Sequence, residues 1–113
     1  MPKAIRSGLG GVIVLVLGRL SAAGTLPRNP LAGIRIPSTL RSDEAWKAGH
    51  RAAASALTAA GVGPVVAAAA VAARRPSPDA EKLLLRAGSV WLVCWLGVAT
   101  WQASRAARAT NAA

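Results

Sequence analysis

Residues 52–73 read AAASALTAAGVGPVVAAAAVAA, 22 consecutive positions without a charge, twelve of them alanine. At about 1.5 Å of rise per residue a helix of that length covers roughly 33 Å, enough to cross a hydrocarbon layer of about 30 Å. Alanine adds little to insertion. A span this rich in small residues is therefore expected in the middle of a bundle, approached closely by its neighbours and bent near Pro64. Ala59 and Gly63 form a small-xxx-small pair, but in so alanine-rich a helix that spacing is nearly unavoidable and implies no dimer.

Downstream, Arg74, Arg75, Pro76, Ser77, Pro78 and Asp79 end the run in a short polar hairpin, with Asp79 placed to start the next helix. Ala87 to Ser104 then gives 18 uncharged positions. If Arg86 snorkels, the run extends back to Leu83, so a span is expected over about 83–104. Trp91 and Trp95, one turn apart, are read as packing against another span in preference to a ligand cage, and Trp101 as an interfacial residue. Cys94 is the only cysteine, which excludes an internal disulfide; it reads as a small packing residue. Arg105 and Arg108 close the span, and the tail to Ala113 is expected to fray.

Upstream, Ser7 to Leu26 is apolar over 20 residues apart from Arg19 and makes the first of three spans, at 7–26. Arg19 lies about 10 Å from Leu26 along a helix, within snorkelling reach of that end; the competing reading is a charge in a substrate path. Lys3 and Arg6 before the apolar core, with Ser21-Ala22-Ala23 after it, also resemble a cleaved signal peptide, but Arg19 between core and site argues against one.

The whole composition agrees. The 113 residues are 53% hydrophobic yet carry a formal charge of +10, and four Trp are the only aromatics, which fits apolar spans joined by basic loops better than a soluble core. An isoelectric point near 11.9 also suits a nucleic-acid binder. The cations, however, cluster at the ends of uncharged runs without aromatics to stack on bases, so nucleic acid is not expected as a partner. Eleven Arg against three Lys, with abundant Ala, hint at a bacterial source. Counting Arg19, eight cations fall on the side of the long loop and the C-terminus and six on the other. This leans toward a multi-pass protein of the bacterial plasma membrane with loop and C-terminus cytoplasmic.

The loop 27–51, PRNPLAGIRIPSTLRSDEAWKAGHR, holds five of the fourteen basic residues, two of the four acidic ones and the only His. Pro27, Pro30 and Pro37 predict an extended or turning segment. Helix should resume at Ser42, an N-cap followed by Asp43 and Glu44. Asp43 and Lys47 are an i,i+4 pair, and Trp46 and His50 share a helix face. Gly33 suits a positive φ. Arg35 is either clasped to Glu44 or, like it, solvated. Trp46 is either an interfacial anchor or a residue of the loop's core. His50 lacks metal-site spacing and a nucleophile partner, and is expected with Arg51 at the headgroup boundary, where it would report pH. No catalytic residue, metal or cofactor is expected.

Asn29, Gly33-Ile34-Arg35, Pro37, Thr39-Leu40, Ser42, Glu44, Trp46 and His50-Arg51 resemble the signature of the SdpI family of bacterial membrane proteins, twelve positions in register over 23 residues. Two spans follow, as in that family, and the loop departs from its better-known members at Ile36 and Ser38. The resemblance implies an all-α, three-transmembrane-helix bundle with an ordered basic loop between spans 1 and 2 and no known catalytic activity. It also implies the immunity or signalling role for which the family is named, protection of a producing bacterium from its own secreted toxic peptide. Partners would be the lipid bilayer and a toxic peptide or a regulatory protein at the membrane. The alternative class is a small transporter or channel-like subunit with Arg19, Trp91 and Trp95 lining a path. Transporters usually keep an ionisable group near the midplane, and apart from Arg19 and Arg86 these spans have none, which favours the first reading.

Overall fold

The computed structural model describes residues 2–112. It contains helices α1 (Lys3–Ala23), α2 (Pro37–Leu40), α3 (Asp43–Arg74) and α4 (Pro78–Ala112). The three long helices are each apolar and long enough to cross a membrane. Their outward faces carry Val12, Ile13, Val16, Val62, Val66, Val90 and Val93, an apolar exterior that makes sense with lipid as the solvent.

The alanine-rich helix is central: α1 and α4 both pack along α3 and barely meet each other. On the α1 side contact is backbone to backbone. A Cβ on Gly18 would fall 2.6 Å from the Thr58 amide nitrogen, and one on Gly11 2.7 Å from the Gly61 carbonyl oxygen. On the α4 side the Trp91 ring fills the space over Gly63, and its Nε1 donates to the Ala59 carbonyl at 2.7 Å. The carbonyl deprived of its donor by Pro64 is the next one, that of Ala60. Trp95 packs against a cluster made of Ile34, Ala53, Ala56, Leu57, Ala99 and Ala103. Both tryptophans are thus packing residues.

Helix α1 stops at Gly24, which takes φ 70° and returns its amide to Leu20 and Ser21, so the first helix is shifted toward the N-terminus relative to the expected span 7–26. Arg19 is exposed on the outside of the bundle one turn before that end, where snorkelling needs only a short reach. Helix α3 runs unbroken through Pro64 from its Ser42 cap, whose hydroxyl accepts from the Ala45 amide at 3.0 Å. At the opposite end Ser77 plays the same part, accepting from Ala80 at 3.3 Å, and α4 begins at Pro78, one residue earlier than Asp79.

Three expectations need correction. Cys94 is exposed on the bundle surface, not packed between helices. Helix appears before Ser42, because Pro37 opens the one-turn helix α2. Over the described residues the tail is not frayed: α4 continues to Ala112, with Ala99, Ala103 and Ala107 forming a buried stripe four residues apart, and Ala113 lies outside the described residues. Asn111 Nδ2 donates to the Ser38 carbonyl at 3.1 Å, which puts the end of α4 beside α2.

Candidate functional site: a folded cap on one end of the bundle

Residues 24–51 and the end of α4 build a cap whose polar backbone is satisfied largely by side chains. Asn29 organises the first turn. Its Oδ1 accepts from the Leu31 and Ala32 amides at 2.9 and 2.7 Å, while its Nδ2 donates to the Pro27 and Ala32 carbonyls at 2.8 and 3.0 Å. This is the Asx geometry that lets a short side chain stand in for backbone partners.

Gly33 follows at φ 111°, lying directly on two rings. A Cβ there would sit 2.8 Å from His50 Nε2 and 2.9 Å from Trp46 Cη2. The two rings stack with centroids 4.1 Å apart, as their one-turn spacing on α3 predicts. Both are pinned by hydrogen bonds. Trp46 Nε1 donates to the Leu26 carbonyl at 2.9 Å, so Trp46 belongs to the loop core and is not an interfacial anchor. His50 Nε2 accepts from the Ile34 amide at 2.8 Å, and Nδ1 lies 2.8 Å from the Trp46 carbonyl. A carbonyl only accepts and an amide only donates, so the ring is neutral with its proton on Nδ1.

His50 is thus held inside the cap and does not face solvent or headgroups directly. It is 1% exposed, because the loop folds over it. Burial pushes its pKa below the usual value, with the Trp46 carbonyl bond opposing in part. It precedes Arg51 and the charge-free segment 52–73, so its surroundings are the cap and not the bilayer core.

Thr39, fully buried, closes the next stretch: its hydroxyl donates to the Ile34 carbonyl at 2.7 Å and accepts from the Ile36 amide at 3.2 Å. The charged clasp is not Arg35 with Glu44. Among the described residues the one salt bridge is Arg28 Nε to Asp43 Oδ1, 3.3 Å, and Arg28 Nη1 also donates to the Leu40 carbonyl at 2.9 Å. The reason lies in periodicity. Ile34 points into the core, so Arg35, next along an extended strand-like segment, points out; Glu44 is likewise exposed beside buried Ala45 and Trp46. Asp43 is taken by Arg28, and Lys47 forms no ion pair with it. Arg51 is exposed, with Nη2 beside the α1 C-cap at Gly24, where the helix dipole favours a cation.

Of the ten sequence-predicted residues, Asn29, Gly33, Thr39, Ser42, Trp46 and His50 are thus brought together as the frame of the cap, Pro37 is exposed where it opens α2, and Arg35, Glu44 and Arg51 lie outside the frame. Sequence reading missed Arg28, which counted only as loop charge. It also missed a groove of about 890 Å³ between α2 and α4, lined by Ile36, Ser38, Arg41, Trp101, Arg108 and Asn111. The only signal for the groove was Trp101 with two arginines after it, a pattern equally natural at any span end. Arg105 stacks 5.0 Å over the Trp101 ring beside it. Among the described residues no three His, Cys, Asp or Glu side chains cluster as a metal site would need.

The model of the SdpI/YfhL protein family matches residues 25–103, the cap with α3 and most of α4. No curated protein and no solved structure matches the chain. The match covers well over half of the chain, which therefore belongs to the SdpI/YfhL family and, with its three apolar helices, is a multi-pass membrane protein.

Proposed function

We propose that this family member works without catalysis, as an immunity or signalling component in which the cap is a rigid platform and the α2/α4 groove the contact surface for a toxic peptide or regulatory protein at the membrane. The observation that carries this reading is a division of labour. Asn29, Thr39, Trp46 and His50 of the signature are consumed inside the cap, while Arg41 and Arg108 remain exposed in a groove with Trp101 and Ile36 in its wall. An aromatic anchor flanked by two exposed cations suits an amphipathic partner with acidic groups. Ile36 and Ser38, where the loop departs from its better-known relatives, both line the groove, which makes it the place where partner choice would differ within a common frame.

The transport reading has lost its residues to packing: Trp91 is bonded to Ala59, Trp95 faces the core cluster, and Arg19 lies outside the bundle. The cation count, eight against six, favours the cap on the cytoplasmic side.

The test is a photocrosslinking amino acid at Ser38, in the groove, against the same probe at Leu31, 91% exposed on the cap but outside it, in full-length protein in its own membrane. A discrete adduct from position 38 alone, lost in the Arg41→Gln/Arg108→Gln variant, is expected. Identical adducts from both positions, or none from either, would reject the groove as the contact surface.

A further inference from the structure

The opposite end of the bundle carries a second feature that the cap does not explain. Because α1 and α4 both lean on α3 and barely touch each other, a cleft of about 560 Å³ opens between the start of α1 and the start of α4. Lys3, Lys82 and Arg86 line it together with Ser7, Glu81 and Leu85. It continues along the bundle into a recess that shares Lys3, Ser7 and Ser89 and adds Arg6, Gly10 and Leu92. Four cations thus face one carboxylate, and none of the four takes part in the salt bridge found among the described residues.

We propose that this cleft holds an anionic phospholipid, its phosphate among Lys3, Arg6, Lys82 and Arg86 and an acyl chain in the gap between α1 and α4. Three points carry it. The cations stand where α1 enters its apolar run, the level at which lipid phosphates lie. Below them the lining turns small and apolar, Gly10 and Leu92, as a chain rather than a soluble anion requires. Glu81, half-buried at the mouth, repels a second negative charge and accepts from hydroxyls. The headgroup selected is therefore singly charged and hydroxyl-bearing.

The experiment uses the full chain in a zwitterionic detergent and measures binding of short-chain phosphatidylglycerol, short-chain phosphatidylcholine and inorganic phosphate by native mass spectrometry and calorimetry, with helicity checked for every variant. Phosphatidylglycerol is expected to bind at least tenfold more tightly than phosphatidylcholine. Lys82→Gln/Arg86→Gln should weaken it about 25-fold, at roughly fivefold per cation, while Arg105→Gln/Arg108→Gln, at the cap end, should leave it unchanged. Ser89→Phe alters no charge but fills the recess, and should weaken binding at least fivefold. Loss in the charge variant with none in Ser89→Phe would mean diffuse surface attraction and overturn the site. So would equal losses in the two charge pairs, or absence of headgroup preference. Inorganic phosphate competing as well as the lipid would overturn the lipid as occupant.

Discussion

Replacing Gly33 by Ala tests whether the cap is held as a unit. The residue sits at φ 111°, outside the region that residues with a Cβ readily adopt, which costs about 1–3 kcal/mol. The new methyl would lie 2.8 Å from His50 Nε2 and 2.9 Å from the Trp46 ring. Neither ring can retreat cheaply, because the Leu26 carbonyl, the Ile34 amide and the Trp46 carbonyl fix them, and such overpacking costs a further ~1–3 kcal/mol. Taking about 3 kcal/mol for the sum, the open cap becomes roughly 150-fold more populated, since each 1.4 kcal/mol is a factor of about ten. Gly24→Ala is the control, also at positive φ (70°), where the methyl would meet only the flexible Arg51 guanidinium at 3.1 Å; its cost is about 1 kcal/mol. Amide hydrogen exchange over residues 25–42 in lipid nanodiscs reads the difference. If Gly33→Ala exchanges no faster than Gly24→Ala, the two rings do not clamp the loop and the account of the cap is wrong.

The remaining predictions concern charge and topology. His50 is neutral in the cap with its pKa lowered from 6.5, so its contribution is whole above about pH 6.5 and is lost as the pH falls from there through the folded value, where the open state binds the proton first. Exchange at Ile34, corrected for its intrinsic pH dependence, should rise on acidification, and in His50→Gln this extra dependence should vanish; a flat wild-type profile would contradict the buried acceptor role. In double-mutant cycles to Gln or Asn, Arg28 and Asp43 should couple by a few tenths to about 1 kcal/mol, as a pair 40% and 71% exposed allows. Arg35 and Glu44 should be additive, and measurable coupling between them would place the clasp elsewhere. Reporters fused in the 75–77 hairpin and after the C-terminus should report opposite compartments, the C-terminal one cytoplasmic; equal signals would end the three-span arrangement.

Much of this was legible because uncharged runs admit few interpretations. The segment 52–73 is helical and central for the same reason, its alanines. Ser42, Asn29 and Gly33 have local jobs that depend on their own backbone, and all three are found doing them. What stayed hidden depended on which side of a segment a residue faces. Arg28 and Arg35 are alike as loop cations, and only the inward turn of Ile34 decides that Arg35 points away. The burial of His50 shows only once the loop is laid over it. The helical tail was misread because Arg105 and Arg108 end the membrane signal, although alanines at 99, 103 and 107 continue the packing pattern past them.

Helix lengths explain why the cap needs this frame. At 1.5 Å per residue α3 and α4 are about 48 and 52 Å long, close to the 54 Å long axis of the molecule and well beyond a hydrocarbon layer of about 30 Å. α1, with 21 residues, is about 32 Å and has no such excess. At the cap end residues 43–51 of α3 and 105–112 of α4 therefore stand up as two posts, and the chain leaving α1 must cross to them as irregular backbone at the membrane boundary. Irregular backbone survives there only if its donors and acceptors are paired within the protein. The carbonyls of Leu26, Pro27, Ala32, Ile34 and Leu40 and the amides of Leu31, Ala32, Ile34 and Ile36 are paired by Asn29, Trp46, His50, Thr39 and Arg28. Four of those five side chains belong to the signature, which on this account supplies chiefly backbone partners. Substitutions within it should then weaken the protein whatever it meets, whereas changes at Ser38, Arg41 or Arg108 should alter what it meets and leave the cap folded.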